Sequence, residues 1–153
     1  MENSTRKMIV FQLDNEEYAV SVQQVGLIER ITPITRVPQT VDFVKGVINL
    51  RGVVTPIIDL RIRFGVSEAG FTDHSRIIIV NMDDKEVGLI VDAANDVVDI
   101  PEETIEPAPE VIGTVDIDYI EGVAKLEERL IILLDLEKVL SAEEVNSLKP
   151  VKE

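Results

Sequence analysis

The chain contains no cysteine and no tryptophan, and only one histidine among its 153 residues. Without cysteine there can be no disulfides, no thiolate metal ligands and no thiol nucleophile. The sequence also lacks a glycine-rich phosphate loop and a pair of histidines at metal-ligand spacing. His74 stands between Asp73 and Ser75, and adjacent residues of an extended segment point to opposite sides, so they cannot form a catalytic relay. We therefore expect a protein that is not an enzyme and that binds no metal or other cofactor.

Positive charge is scarce as well. The chain has 15 Lys and Arg against 29 Asp and Glu, a formal net charge of −14. A field of this sign repels phosphate backbones and anionic lipid head groups. The N-terminal apolar run is too short for a signal peptide or a membrane span, and the lack of cysteine fits a reducing compartment. We expect a cytoplasmic protein that binds neither nucleic acid nor membranes directly.

Two β-branched residue types dominate the composition. Val occurs 22 times and Ile 19 times, whereas aromatic residues make up 4% of the chain. Such side chains suit a pleated, half-buried surface better than a helix. The sequence therefore predicts an all-β fold with short helices. Alternating apolar runs bounded by turn residues predict strands at 7–13, 17–22, 47–50, 53–58, 76–82, 86–91, 123–126 and 130–134.

The chain also contains an internal repeat. Gly46, Leu50 and Asp59 each recur 76 residues further on, and the apolar pair of segments at 7–22 recurs 69 residues on, at 76–91. The growth of the interval predicts an insertion in the second copy, within 108–118. Two copies are too few for a solenoid, so we predict two small subdomains packed side by side.

Two short helices are predicted from their N-terminal caps. Asp59, and Asp135 in the second copy, each precede a single helical turn, and their carboxylates can accept backbone N–H groups there. Ser141 and Glu144 form a potential capping box for a C-terminal helix that runs to about Lys149.

Arg51 is a lone cation inside the most apolar stretch of the chain, residues 47–54, and the second copy has Glu127-Glu128 at the equivalent turn. Arginine offers a planar fork of donors and is enriched at interface hot spots. The alternative is that Arg51 is simply the polar residue of a turn in which Gly52 adopts a positive φ. Both interpretations stay open from composition alone.

The central stretch provides a specific resemblance. Residues 43–61, with the sequence FVKGVINLRGVVTPIIDLR, resemble the signature of the CheW family, the bacterial chemotaxis coupling proteins. The flanks at 16–18, 34–38, 87–92 and 107–110 agree in the same order, and the resemblance covers Lys7 to about Leu148. It implies two five-stranded SH3-like β-barrel subdomains that share a hydrophobic core.

The resemblance also implies a function and partners. It implies a non-catalytic adaptor that binds the cytoplasmic tip of methyl-accepting chemoreceptors and the regulatory domain of the histidine kinase CheA, and that reaches membrane arrays through these partners. We expect a single CheW-like domain at 7–149 with flexible termini at 1–6 and 150–153. So little chain follows this domain that we expect a stand-alone coupling protein and not a fusion to a receiver domain. The alternative from another class is a small acidic β-barrel enzyme or ligand carrier, which a pocket of convergent carboxylates would support.

Site residues are implied only by position in the family. The implied receptor-binding residues are Val25, Leu27, Gly46, Asn49, Arg51, Gly88 and Val97. Leu27 stands where the family often has an acidic residue. The implied kinase-binding residues are Glu106, Glu110 and Val111, with Val111 as the apolar anchor, and Glu106 replaces a basic residue of some relatives.

Overall fold

The computed structural model describes residues 4–14, 16–36, 44–64, 70–82, 85–107 and 119–139. The described residues are mostly β, as predicted. The strands are β1 (Thr5–Leu13), β2 (Glu16–Ser21), β3 (Val25–Arg30), β4 (Val44–Leu50), β5 (Val53–Asp59), β6 (Arg76–Met82), β7 (Lys85–Val91), β8 (Ala93–Pro101), β9 (Ile105–Glu106), β10 (Ile120–Leu126) and β11 (Arg129–Leu134). The helices are α1 (Leu60–Arg63) and α2 (Leu136–Val139).

The first sheet has the strand order β8-β1-β2-β11-β10-β9. Its two edge strands, β8 and β9, follow each other in the chain through a 3₁₀ turn at Glu102–Thr104. Because consecutive segments occupy opposite edges, the sheet must curl until those edges meet. We call this closed sheet barrel A.

The second sheet has the order β3-β6-β7-β5-β4. Thr35, five residues after β3 ends, exchanges two backbone hydrogen bonds with Val47 of β4 at the opposite edge, at 2.9 and 2.8 Å. This bridge closes the sheet into barrel B. The prediction of two small SH3-like barrels is confirmed, although barrel A has six strands and not the five that the resemblance implied, because the two-residue β9 joins its edge.

The barrels do not coincide with the sequence repeats. The first repeat supplies β1 to β5, and the second supplies β6 to β11. Barrel A nevertheless combines β1 and β2 of the first repeat with β8–β11 of the second. Barrel B combines β6 and β7 of the second repeat with β3–β5 of the first. Parallel pairing of β2 with β11, and of β5 with β7, attaches each hairpin to strands of the other copy. The two copies have therefore exchanged their N-terminal hairpins.

The exchanged hairpins are apolar on both faces because they lie between two hydrophobic cores. In β6, Ile77 and Ile79 point into barrel B, whereas Ile78 and Val80 point into a core shared by the two barrels. Alternate side chains of a strand face opposite sides, so a strand between two cores is apolar throughout. The barrel A core consists of Met8, Val10, Ala19, Ile100, Ala124, Ile131 and Leu133, packed against Val98, Ile105 and Leu126.

Aromatic rings run in a chain through the shared core. The ring centroids of Phe11 and Tyr18 lie 6.0 Å apart, those of Tyr18 and Phe64 5.8 Å, and those of Phe64 and Tyr119 5.7 Å. Such offset pairs stabilise a core beyond their buried area. Burial raises the pKa of the Tyr18 phenol, whose hydroxyl donates to Glu16 Oε1 at 3.2 Å. This row of aromatic rings links β1 and β2 of barrel A to Phe64, the residue that ends α1.

The predicted caps of both short helices are confirmed. Asp59 accepts a hydrogen bond from the Arg61 backbone N–H at 3.0 Å, and Asp135 accepts one from Glu137 at 3.1 Å. The side chain of Arg61 is also buried, which sequence analysis did not predict. Its guanidinium makes two bonds to Asp59, at 3.0 and 2.9 Å, and one to Asp92 at 3.3 Å. Asp92 accepts the Asp14 backbone N–H at 2.6 Å, so this network ties α1 to the end of β7 and to the β1–β2 turn.

Some boundaries differ from the sequence predictions, and others are not described. Thr5 and Arg6 already belong to β1, so the first strand begins two residues before the predicted domain start. The segment 96–100, for which no strand is predicted above, belongs to β8. The predicted capping box at Ser141 and Glu144, and the predicted insertion at 108–118, lie outside the described residues. Among those that are described, no helix is long and apolar enough to cross a membrane.

Candidate interaction surfaces

The β4–β5 turn presents Arg51 in an unusual backbone conformation. Leu50 pairs with Val53, which leaves a two-residue turn in which Arg51 has φ 52° and Gly52 has φ 85°. Positive φ at both positions defines the hairpin turn whose twist matches that of its strands. The side chain of Asn49 stabilises it, because Oδ1 accepts the Gly52 N–H at 2.7 Å. The positive φ predicted for Gly52 is confirmed, and Arg51 shares it.

The Arg51 side chain is exposed, and none of the described residues forms an ion pair with it. Val53 and Val54 follow it directly, and each is 53% exposed. A guanidinium that has no ion-pair partner among the described residues and lies next to exposed valines can offer bidentate hydrogen bonds and an apolar contact to the same ligand group. The turn therefore has the composition of an interaction site.

Two of the implied receptor-binding residues are buried glycines. At Gly88 an added Cβ would lie 2.5 Å from Ile57 Cδ1 and 2.8 Å from Ile77 Cγ2, inside barrel B. At Gly46, with φ 145°, it would overlap the Thr35 carbonyl that closes the barrel. Both glycines allow close packing, and neither presents a side chain or an open surface to a partner. The receptor contact implied for these two positions stays a prediction, and their burial favours a supporting role in packing.

The other implied receptor-binding residues fall into both barrels. Val25 and Leu27 are half-buried in β3, where Val25 packs against the shared core and Leu27 against the barrel B core. Val97 belongs to β8 of barrel A and is 58% exposed. The exposed members of the set are thus Asn49 and Arg51 on barrel B and Val97 on barrel A.

Only one of the implied kinase-binding residues is described. Glu106 is exposed in β9, pairs with Val123 of β10, and has its Oε2 3.7 Å from Lys125 Nζ. An exposed pair at this distance contributes little to stability, so Glu106 is available to a partner. Glu110 and Val111 lie outside the described residues.

Charged groups elsewhere pair with each other. In a groove beside α2, Arg6 contacts Glu102 at 2.9 Å and Glu121 at 3.0 Å, and the hydrogen bond that Arg6 donates to Glu102 raises the pKa of Arg6. Acids and bases are thus interspersed in this groove. Within the ranges that the structure describes, no group of three acidic or histidine side chains is placed to hold a metal ion. His74 is exposed in a turn before β6.

Comparisons with known proteins agree with this geometry. The chain matches the CheW-like domain over residues 7–144. It is 49% identical to a chemotaxis protein CheW of Bacillus subtilis, with 94% of this chain and 92% of the relative covered. It is 40% identical to a chemotaxis protein CheW of Klebsiella aerogenes, with 94% and 87% covered.

A solved structure shares the fold as well. The crystal structure of the scaffolding protein TtCheW from Thermoanaerobacter tengcongensis superposes with a TM-score of 0.85 at 39% identity, over 92% of this chain and 96% of that one. The curated relatives are named as chemotaxis proteins and the solved structure as a scaffolding protein, in agreement with the non-catalytic role expected from the sequence. On the family match, the identities and the shared fold, this chain belongs to the CheW family of chemotaxis proteins.

Proposed function

We propose that this chemotaxis scaffold is a cytoplasmic adaptor that couples chemoreceptors to the histidine kinase CheA. The observation that carries the proposal is the β4–β5 turn: Arg51 is exposed, has positive φ and lacks an ion-pair partner among the described residues. The same turn in the second copy carries Glu127, with the same φ of 52°. Two turns that share a positive φ at their first residue and carry opposite charges there are suited to different partners.

The proposed receptor contact consists of Asn49, Arg51 and Val97. A receptor helix tip that offers a carboxylate or a free carbonyl would satisfy the guanidinium of Arg51, and apolar side chains of that tip would cover Val53 and Val97. Asn49 contributes mainly by holding the turn through Gly52. Val25 and Leu27 are half-buried and support the exposed surface of β3 from its inner face.

The proposed kinase contact lies at the β9 end of barrel A. Glu106 is its described member, and Glu110 and Val111 complete the proposal from the sequence. Because Glu106 is acidic and its nearest cation, Lys125, is 64% exposed, a basic group of the CheA regulatory domain could replace that cation. This contact is separate in the fold from the Arg51 turn, so the two partners can be bound together.

The test is co-sedimentation of the purified chain with a receptor hairpin fragment and with the CheA regulatory domain. Arg51→Asp should abolish sedimentation with the receptor fragment and leave the kinase interaction intact. Arg30→Asp is the matched control, because Arg30 is also exposed on barrel B but lies at the end of β3 and outside the proposed contact. Equal loss in both variants, or wild-type protein that binds neither partner, would refute the proposal.

A further inference from the structure

The open end of barrel A, on the side of the β10–β11 turn, is closed by charged side chains. Glu17 and Arg129 each lie two residues before a member of the barrel A core on their own strand, and Asp96 lies two residues before Val98, which packs against that core. Since residues two apart on a strand face the same side, all three point toward the barrel axis. We call this group the barrel A latch.

Arg129 makes the latch with both arms of its guanidinium. Nε and Nη2 donate to the two carboxylate oxygens of Glu17, at 3.1 and 2.9 Å. Nη2 and Nη1 also donate to Asp96, at 3.3 and 3.5 Å. These hydrogen bonds raise the pKa of Arg129. Each partner therefore faces a cation that stays charged throughout the accessible pH range.

The contact with Asp96 reaches across the barrel mouth. Arg129 begins β11, and Asp96 belongs to β8, which is separated from β11 by β1 and β2 in the sheet order. Three strand spacings amount to about 14 Å along a flat sheet, too far for one side chain. The Arg129–Asp96 half of the latch therefore joins two strands, β11 and β8, that share no backbone hydrogen bonds.

The corresponding end of barrel B has no latch. The repeat intervals place Leu27 at the position of Asp96, Val53 at that of Arg129 and Glu86 at that of Glu17. Two of the three charges are thus replaced by apolar side chains, and Val53 is largely exposed. The latch is a property of barrel A alone and is not required to form this type of barrel.

The latch acts at an irregular point of β8. Val10 pairs with Asp96 and Phe11 with Ala94, so one residue between them is bulged out of the ladder. A bulge interrupts the hydrogen-bond ladder and bends its strand. Val97 follows directly and points away from the barrel axis, on the surface proposed above for the receptor.

We propose that Arg129 is a positioning residue for receptor binding: by holding Asp96 it fixes β8 next to its bulge and so presents Val97 in one place. This inference rests on the proposed receptor contact. Arg129 itself starts β11 and acts through β8, which distinguishes it from a residue that touches the receptor. Loss of the latch should loosen β8 in the free protein before any partner is added.

The test compares Arg129→Gln with Asp96→Asn, which removes only the β8 half of the latch. Arg6→Gln is the matched control, because Arg6 is similarly exposed and holds Glu102 and Glu121 at another ionic cluster of barrel A. Amide hydrogen exchange of residues 93–99 is measured on the free protein, and affinities are measured for a receptor hairpin and for the CheA regulatory domain. Both latch variants should exchange about 1.5- to fivefold faster in β8 and bind the hairpin weaker by a similar factor, the scale of a partly exposed ion pair. CheA affinity should be unchanged, and Arg129→Lys should restore part of the hairpin affinity.

Each other outcome has a defined meaning. Unchanged exchange in β8 for Arg129→Gln overturns the proposal, even if hairpin affinity falls, because Arg129 would then be a direct contact. Faster exchange with unchanged hairpin affinity also overturns it, and so does the same effect from Arg6→Gln. If the wild-type protein binds no receptor hairpin, the proposed function fails, whereas the exchange measurement still reports whether the latch holds β8.

Discussion

Substitution of Gly88 by alanine tests whether this position serves packing or recognition. The new methyl group would lie 2.5 Å from Ile57 Cδ1, 2.8 Å from Ile77 Cγ2 and 3.3 Å from Ile79 Cδ1. All three isoleucines are fully buried in barrel B, so none can move into solvent. Overpacking of this kind costs about 1–3 kcal/mol, and alanine recovers only about 0.4–1 kcal/mol by restricting the unfolded chain. We expect a net destabilisation of about 1–2 kcal/mol.

The assay is thermal unfolding of wild type, Gly88→Ala, Ile57→Val and the double variant. For a chain of this size, 1 kcal/mol corresponds to about 2–4 °C in Tm. Ile57→Val removes the atom nearest to the new methyl and alone should cost about 0.5–1.5 kcal/mol. In the double variant the two changes compensate. Its loss of stability relative to wild type should therefore be smaller than the sum of the two single losses, by at least about 0.5 kcal/mol.

Two results would refute this reasoning. A fully additive double variant would show that the alanine methyl does not meet Ile57. If Gly88→Ala kept the wild-type Tm but bound the receptor more weakly, Gly88 would contact the receptor directly.

Further predictions concern one residue each. Arg51→Asp should leave the Tm unchanged and should weaken receptor-hairpin binding by about 2–5 kcal/mol if the partner group stays buried. An unchanged affinity, measured by calorimetry, would exclude Arg51 from the contact. Val111→Ser should reduce assembly of large receptor–kinase arrays much more than one-to-one binding of CheA, and cost about 1 kcal/mol of stability or less; equal loss in both assays would contradict an array contact. Arg61→Ala should destabilise the protein by about 3–5 kcal/mol in urea unfolding, because it leaves the buried Asp59 carboxylate without its cation; a loss below 1 kcal/mol would show that water replaces the guanidinium. Because Arg6 lowers the pKa of Glu102, the ion pair between them should be intact at neutral pH and should break as the pH falls through that lowered pKa. An NMR titration of the Glu102 carboxyl, with Arg6→Gln as the control, would detect this transition.

Local structure was predictable from residue patterns that act over a few positions. The strand at 76–82 agrees with its predicted bounds, and β1, β2 and β7 begin one or two residues earlier than predicted. Caps such as Asp59 and the glycine of the Arg51-Gly52 turn were also recognisable, since each depends on neighbours within three residues. The resemblance of residues 43–61 to the CheW family identified the fold before any coordinates.

Contacts between distant segments were not predictable in the same way. The position of Gly88 in the family pattern implied a receptor contact, but its burial among isoleucines follows from the packing of β7 between β5 and β6. The burial of Arg61 depends in part on Asp92, which lies thirty-one residues away in the chain and which no local pattern places beside it. Arg129 likewise acquires its partners only when the barrel closes.

The sequence by itself determined that the chain is duplicated, rich in strands and free of cysteine chemistry, because composition, period and repeat are properties of the chain alone. Only the tertiary structure decided that the repeats exchange their hairpins. An apolar strand can serve either copy equally well, since its alternation specifies which faces are buried and not which strand lies beside it. The parallel pairings of β2 with β11 and of β5 with β7 join segments far apart in the chain, and the free energy that selects them comes from the shared core of both barrels.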